Sequence, residues 1–494
     1  MVMSVTPAIA GFHPDPSVCR VGDTYYLANS SFEYVPGVPV HRSTDLLTWT
    51  HIGNVLTRPS QLAPHTGYAG SGIYAPTLRH HDGRFWLVTT NIHEVRRGHL
   101  IVSSENPEGP WTDPVHVAGT IGIDPDLAWD EAGVCHLTWA SFLPGLHGIA
   151  SVPIDPMTGG MLAEPRLLWN GTGLAAPEGP HLYRVGKWWY LLLAEGGTER
   201  GHAVTVARAR TLDGPFEAAP HNPVLTHRST DHPVQNTGHG DLVELADGSW
   251  ALVYLGVRPR GATPKFHVNG RETFVAGVDW VDGWPVVDEE RFAVEPQEHS
   301  FTDRFEGPEL DPRWVAPGTN PAAFTRREGR GRLILERQVQ QEAPVLLLTR
   351  ARDTRWTAQV RMDTSAGTGR FLLRIDSCHW YGLTADADSV EATVSIGPAV
   401  SSVARIPRPV GKPVILRITV RDSDRPGVFG TPAEPDLVEL AVVDDDGACS
   451  VLGTFDGRYL STEVAGGFTG RMLGVELVDG RIVLEEVAYS AHLG

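Results

Sequence analysis

One pattern returns five times before about residue 298: a turn containing glycine, followed by an apolar run rich in aromatic residues. The five copies are GDTYYLANS from Gly22, DGRFWLVTTN from Asp82, EAGVCHLTWAS from Glu131, VGKWWYLLLAEGG from Val185 and ADGSWALVYLGVR from Ala246. The turn glycines Gly22, Gly83, Gly133, Gly186 and Gly248 follow one another at 61, 50, 53 and 62 residues, a spacing that suits one four-stranded sheet per repeat. Aromatic and β-branched residues favour strands, and glycine supplies the backbone freedom of a hairpin turn. Five such units exceed the usual size of one β-sandwich. The expected fold is therefore all-β, with a five-bladed β-propeller over residues 1–298. The 53 glycines and 38 prolines, free of any collagen-like period, agree with a chain of many tight turns.

The repeat stops within WVDGWPVVDEERFAVEPQEHSFTDRF, where residues 284 to 303 become charged and turn-like, as a linker does. Residues 304–494 then alternate apolar and polar positions in short runs such as RFLLRID, VILRITV and LVELAVV. That period of two predicts an antiparallel β-sandwich as a second domain. Two domains also suit a chain of 494 residues, which is longer than one hydrophobic core usually serves.

The chemistry lies just ahead of each turn. About seven to nine residues upstream stand, in order, PDPS with Asp15, YAPT with Tyr74, IDPD with Asp124, APEGP with Glu178 and GHGD with His239. A propeller brings the equivalent strand of every blade to one axis, so residues at one offset converge although far apart in sequence. Taken singly, each acid reads as a turn or strand-end residue. Their shared offset makes them one candidate site. Hydrolysis of a glycosidic bond by inversion needs one protonated acid and one carboxylate that activates water, and a third carboxylate can raise the acid by like-charge repulsion.

Other classes find little support. A net charge of −18 disfavours a nucleic-acid or anionic-membrane partner. Cys19, Cys135, Cys378 and Cys449 lie far apart without a CxxC pair and read as reduced thiols. The histidines show neither HExxH nor paired spacing, which argues against a catalytic zinc, and there is no GxSxG motif or Walker loop. The opening MVMSVTPAIAGFHPDP lacks a basic segment followed by an apolar one, and no run approaches 18 apolar residues, so a cytoplasmic location is expected.

At this level of detail the chain resembles glycoside hydrolase family 43, in particular its β-xylosidase and α-L-arabinofuranosidase members. The resemblance rests on AGFHPDPSVCRVGDTYYLANSSFEYVPGVPVHRSTDLLTW, GIYAPTLRHHDGRFWLV, IDPDLAWDEAG, APEGPHLYRVGKWWYLLLAEGG, TGHGDLVELADGSW and NGRETFVAGVDWVDGWPV in that order. It implies Asp15 as general base, Glu178 as general acid and Asp124 as the residue that tunes and orients the acid. It also implies that Phe32 walls the sugar subsite, with Tyr74 standing where many relatives have tryptophan, and that Arg271 hydrogen-bonds sugar hydroxyls. His239 matches a histidine near the pocket floor that in some relatives reaches a central calcium ion through water, so a structural Ca²⁺ joins the expectations although no cofactor is required.

The second domain is similar to the concanavalin-like, jelly-roll domain of such β-xylosidases through FTDRFEGPELDPRW and GGFTGRMLGVELVDG. Two roles stay open for it: closing one side of the pocket, or holding subunits of a homo-oligomer together. The implied activity is exo-acting release of D-xylose, with inversion, from the non-reducing ends of β-1,4-xylooligosaccharides. The alternatives are an α-L-arabinofuranosidase, as sole or second activity, and a non-catalytic carbohydrate-binding propeller.

Overall fold

The computed structural model describes residues 6–66, 68–261, 263–338, 343–423 and 435–492. The first five residues of the stretch read for a leader segment, and the last two of the second domain, lie outside the described residues. Five separate antiparallel sheets follow one another along the chain up to Asp288. Each is a meander whose first strand lies innermost: Ser17–Val21, Thr77–His81, Gly122–Trp129, Glu178–Val185 and Gln235–Glu244. In every blade the glycine turn of the repeat joins this strand to the second one, as Val21 opposite Thr24 and Val185 opposite Trp188 illustrate.

Five apolar clusters fill the wedges between neighbouring blades around the ring. Leu78, Phe85 and Leu87 pack with Val40 and Leu56, for example, and Leu192 and Val206 pack with Leu252 and Phe274. The ring closes where the amino-terminal segment pairs with blade 5, Ile9 and Thr273 exchanging backbone hydrogen bonds at 3.1 and 3.2 Å.

Side chains on a strand alternate with a period of two, and on the inner strands this builds layers along the axis. One layer below the predicted acids lie Ser17, Asp126, His181 and Asp241, and Arg79 of blade 2 fills the space among them. Its guanidinium meets Asp126 at 2.8 Å, Asp241 at 2.7 Å, His181 Nδ1 at 2.9 Å and Ser17 Oγ at 3.3 Å. One side chain thus touches the inner strands of all four other blades. Burial would raise the Asp241 carboxyl, but the Arg79 charge, with His181 and Tyr183, holds it down at about 2. On the far side of Arg79 a depression of about 410 Å³ opens, lined by Arg20, His81, Trp129, Arg184 and Glu244.

The second domain is a β-sandwich built around two long strands, Trp356–Arg374 and Met472–Ala491, paired along nearly their whole length. It begins slightly earlier than the alternation suggests, because Phe301–Asp303 already pairs with Val487–Tyr489. The domains share a seam. Ala316–Pro317 pairs with Tyr34–Val35 of blade 1, and Phe12, Phe32 and Tyr34 pack on Leu346, Leu348, Leu372 and Met472. Arg350 Nε donates to the Phe12 carbonyl at 2.7 Å across it. The four cysteines are unpaired.

Replacing Arg79 by methionine should cost about 3 to 5 kcal/mol of stability, because two fully buried carboxylates lose their partner. Guanidinium unfolding would measure this; a variant as stable as the parent would show that the axis does not depend on the ion pairs.

Candidate active site

The structure gathers all seven predicted site residues at one end of the propeller axis, and the local backbone explains how. Twelve described non-glycine residues have a positive φ, and four of them are Asp15 (52°), Phe32 (48°), Asp124 (54°) and His239 (46°). L-residues enter this region at a cost, and such residues cluster at functional sites. Bulges interrupt the inner strands between Ile123 and Asp126, between Glu178 and His181, and between Gly238 and Asp241. A bulge redirects the side chain beside it. The strands therefore turn Asp124, Glu178 and His239 out of the regular alternation.

Asp15 is buried and held on both oxygens. Ser30 Oγ donates to Oδ2 at 2.5 Å and Arg271 Nη1 donates to Oδ1 at 2.8 Å, while His239 Nδ1 stands 3.8 Å away. Burial pushes this carboxyl up, but Arg271, then His239 and Ser30, outweigh it and leave Asp15 below the ordinary carboxylate range. Glu178 behaves oppositely. Burial, and then the charge of Asp15, push it up to about 7 against the pull of Arg271. Asp124 is raised as well, by burial first and by Glu178 second, with Gly179 N–H donating to its Oδ2 at 3.1 Å. Asp124 therefore grips the residue next to Glu178. Repulsion from a third carboxylate was the expected cause of the raised acid; burial and Asp15 come first instead.

Burial lowers His239 to about 4, so its imidazole is neutral at neutral pH. Its ring packs against Gly179, where a Cβ would lie 3.1 Å from Cε1. The fit to a central calcium ion is poor. Calcium takes six to eight oxygen ligands, rich in carboxylate, yet Asp126 and Asp241 on the axis are already paired with Arg79, and Asp15 with Arg271.

Phe32 and Tyr74 form an aromatic wall with ring centroids 5.2 Å apart. Its third member is Phe468, from the second domain, which stacks on Phe32 at 5.4 Å and 21° and meets Tyr74 edge-on at 6.0 Å. The Arg271 guanidinium stands 5.6 Å from both phenyl rings and also donates to Thr198 Oγ1 at 3.0 Å. Phe468 reaches this place because Gly270 and Gly470 touch: a Cβ on Gly470 would lie 2.4 Å from the Asn269 carbonyl oxygen. The second domain thus closes one side of the pocket. Ser30, Thr198 and Phe468 are the site residues that sequence reasoning missed. Ser30 lay within the SSFEY stretch, and GGFTG carried the only signal for Phe468.

Carboxyls of opposed proton affinity at the end of a propeller axis define the class, a β-propeller of the glycosidase type. The chain belongs to glycosyl hydrolases family 43, whose model matches residues 5–285, while that of the β-xylosidase C-terminal concanavalin A-like domain matches residues 302–481. It is 45% identical over 289 residues to a non-reducing end α-L-arabinofuranosidase, BoGH43B, of Bacteroides ovatus, covering 57% of this chain and 53% of that protein. It is 42% identical over 303 residues to a xylosidase/arabinosidase of Butyrivibrio fibrisolvens, covering 58% and 57%. Each match spans little more than half of the relative's length. Among solved structures, GH43B from a Bacteroides ovatus xyloglucan locus superposes with a TM-score of 0.87 at 31% identity, covering 99% of both chains.

Gly470→Ala should destabilise the chain by about 1 to 3 kcal/mol through overpacking at the domain seam. Denaturant unfolding is the measurement, and an unchanged midpoint would show that the loop bearing Phe468 tolerates the extra methyl.

Proposed function

We propose that this protein is an exo-acting, inverting β-D-xylosidase that releases D-xylose from the non-reducing ends of β-1,4-xylooligosaccharides. The observation that carries the reading is the split between Asp15, held ionised by Arg271 and Ser30, and Glu178, held protonated near neutrality by burial and the Asp15 charge. Inversion needs that pair of states in one pocket. Asp15 takes a proton from water as its oxygen bonds to the anomeric carbon. Glu178 gives its proton to the glycosidic oxygen as the carbon–oxygen bond breaks on the opposite face. Asp124 positions the acid through Gly179, and Phe32, Tyr74 and Phe468 offer aromatic faces to the C–H face of the sugar.

A second reading, α-L-arabinofuranosidase as sole or additional activity, is favoured by the 45% identity to a relative of that name. A non-catalytic binding propeller fits less well, since such a protein has no need of three acids with separated proton affinities. Action in the cytoplasm, on imported oligosaccharides rather than polymer, is part of the same proposal.

Glu178→Gln and Asp15→Asn should each lower kcat by about 10²- to 10⁴-fold while the fold persists; ordinary turnover in either variant would refute the roles. NMR directly after mixing should find α-xylose first from a β-xyloside, and initial β-xylose would contradict inversion. Hydrolysis of nitrophenyl β-xyloside should outpace that of the α-L-arabinofuranoside, and a much faster arabinoside would make the second reading the principal activity.

The pH dependence follows from the signs. Glu178 works protonated, so activity falls as pH rises through about 7. Asp15 works ionised, so the acid limb lies below the ordinary carboxylate range. Arg271→Met should move that limb upward, and a limb that stays in place would remove Arg271 from this role.

A further inference from the structure

His227, His232 and Glu289 come together away from the acids, although 57 residues separate the last two in sequence. The histidines lie in the connection from blade 4 to blade 5, and Glu289 follows the outermost strand of blade 5, Trp284–Asp288. One ring nitrogen of each histidine and one Glu289 oxygen all lie within 4.8 Å of one another. The connection is well tied: Thr230 N–H donates to the His227 carbonyl at 3.2 Å, and Gln235 Nε2 donates to the His232 carbonyl at 2.7 Å.

The backbone of one residue, Val234, holds both rings. Val234 O lies 2.7 Å from His227 Nδ1 and 3.0 Å from His232 Nδ1. A carbonyl oxygen only accepts, so His227 Nδ1–H donates to it and a singly protonated His227 presents its Nε2 lone pair, whereas His232 Nδ1 lies 3.1 Å from the Val234 N–H as well and either donates to the carbonyl or accepts from that N–H. His227 Nε2 then faces the Glu289 oxygens at 2.9 and 3.0 Å. A lone pair set against a carboxylate is repulsive unless a cation joins them, and that cation is either a second proton on the ring or a metal ion. Tyr254 O–H donates to Glu289 Oε1 at 3.1 Å and fixes the carboxylate. Imidazoles held by backbone hydrogen bonds, with a carboxylate held by a hydroxyl, are an arrangement that surrounds bound metals.

We infer that His227, His232 and Glu289 form a binding site for a Zn²⁺-like divalent ion, separate from the catalytic pocket. Two imidazoles and a carboxylate suit zinc, whose bonds of about 2.0 to 2.2 Å set ligand atoms about 3.3 Å apart. The His227–Glu289 pair is already near that spacing. The Glu289 side chain is 31% exposed, which leaves a fourth position open to water. Calcium, which asks for many oxygens, is a poor match. The ion would fasten the connection between blades 4 and 5 onto blade 5.

The test uses the full chain, stripped of metal by chelator and dialysis, then titrated with Zn²⁺ by calorimetry and followed by thermal unfolding. One equivalent should bind with a rise in Tm, and Ca²⁺ should leave Tm unchanged. Glu289→Gln, which keeps a partner for Tyr254, and His232→Ala should each weaken binding by at least about tenfold. Absence of stoichiometric Zn²⁺ binding, or full affinity retained in Glu289→Gln with its fold intact by circular dichroism, would overturn the assignment. An equal rise in Tm with Ca²⁺ would overturn it too.

Discussion

The Arg79 guanidinium holds the propeller together at the point where its blades would otherwise present like charges to one another. Asp126 and Asp241 are fully buried, and both converge on the axis. Without a cation among them the inner strands of blades 3 and 5 would repel in a medium that screens poorly. With it, a single side chain bonds to four neighbouring blades. Every distance in the layer above depends on this, because Asp124 lies two residues from Asp126 and His239 two residues from Asp241 on the same strands.

Above that lock the site is built from backbone departures rather than from unusual side chains. The left-handed residues and the bulges take Asp15, Asp124 and His239 off the regular strand path. Electrostatics then separates acids that are otherwise alike. Arg271 sits beside Asp15 and lowers it; Glu178, without an ion pair among the described residues, is raised by burial and by Asp15 against a weaker pull from Arg271. A change at Arg271 therefore acts on both carboxyls at once.

Much of this was legible in the chain itself. The glycine spacing predicted five sheets, and the shared offset of Asp15, Asp124 and Glu178 predicted that they meet, because propeller geometry turns a repeat period into a common axis. The axial layer was partly within reach of the same logic: Ser17, Asp126 and Asp241 share an offset of two residues from Asp15, Asp124 and His239, although the bulges between these positions lay outside any simple period. Arg79 was harder, since a long side chain can point anywhere from a strand. GGFTG marked the stretch that holds Phe468 but not its place in the aromatic wall, because that place depends on how two separately folded domains dock at Gly270 and Gly470. The calcium expectation fared differently: it came from resemblance alone, and the arginine charges on the axial carboxylates leave little for such an ion to bind.

The plug at Arg79 also decides the traffic through the molecule. Its guanidinium, paired with Asp126 and Asp241, stands between the depression on the opposite face and the layer that carries the three acids. A substrate chain of the proposed kind would therefore enter and leave by the end that carries the acids. Under the proposed hydrolysis, the portion beyond the cleaved bond would depart first and the terminal sugar last, past the rings of Phe32, Tyr74 and Phe468.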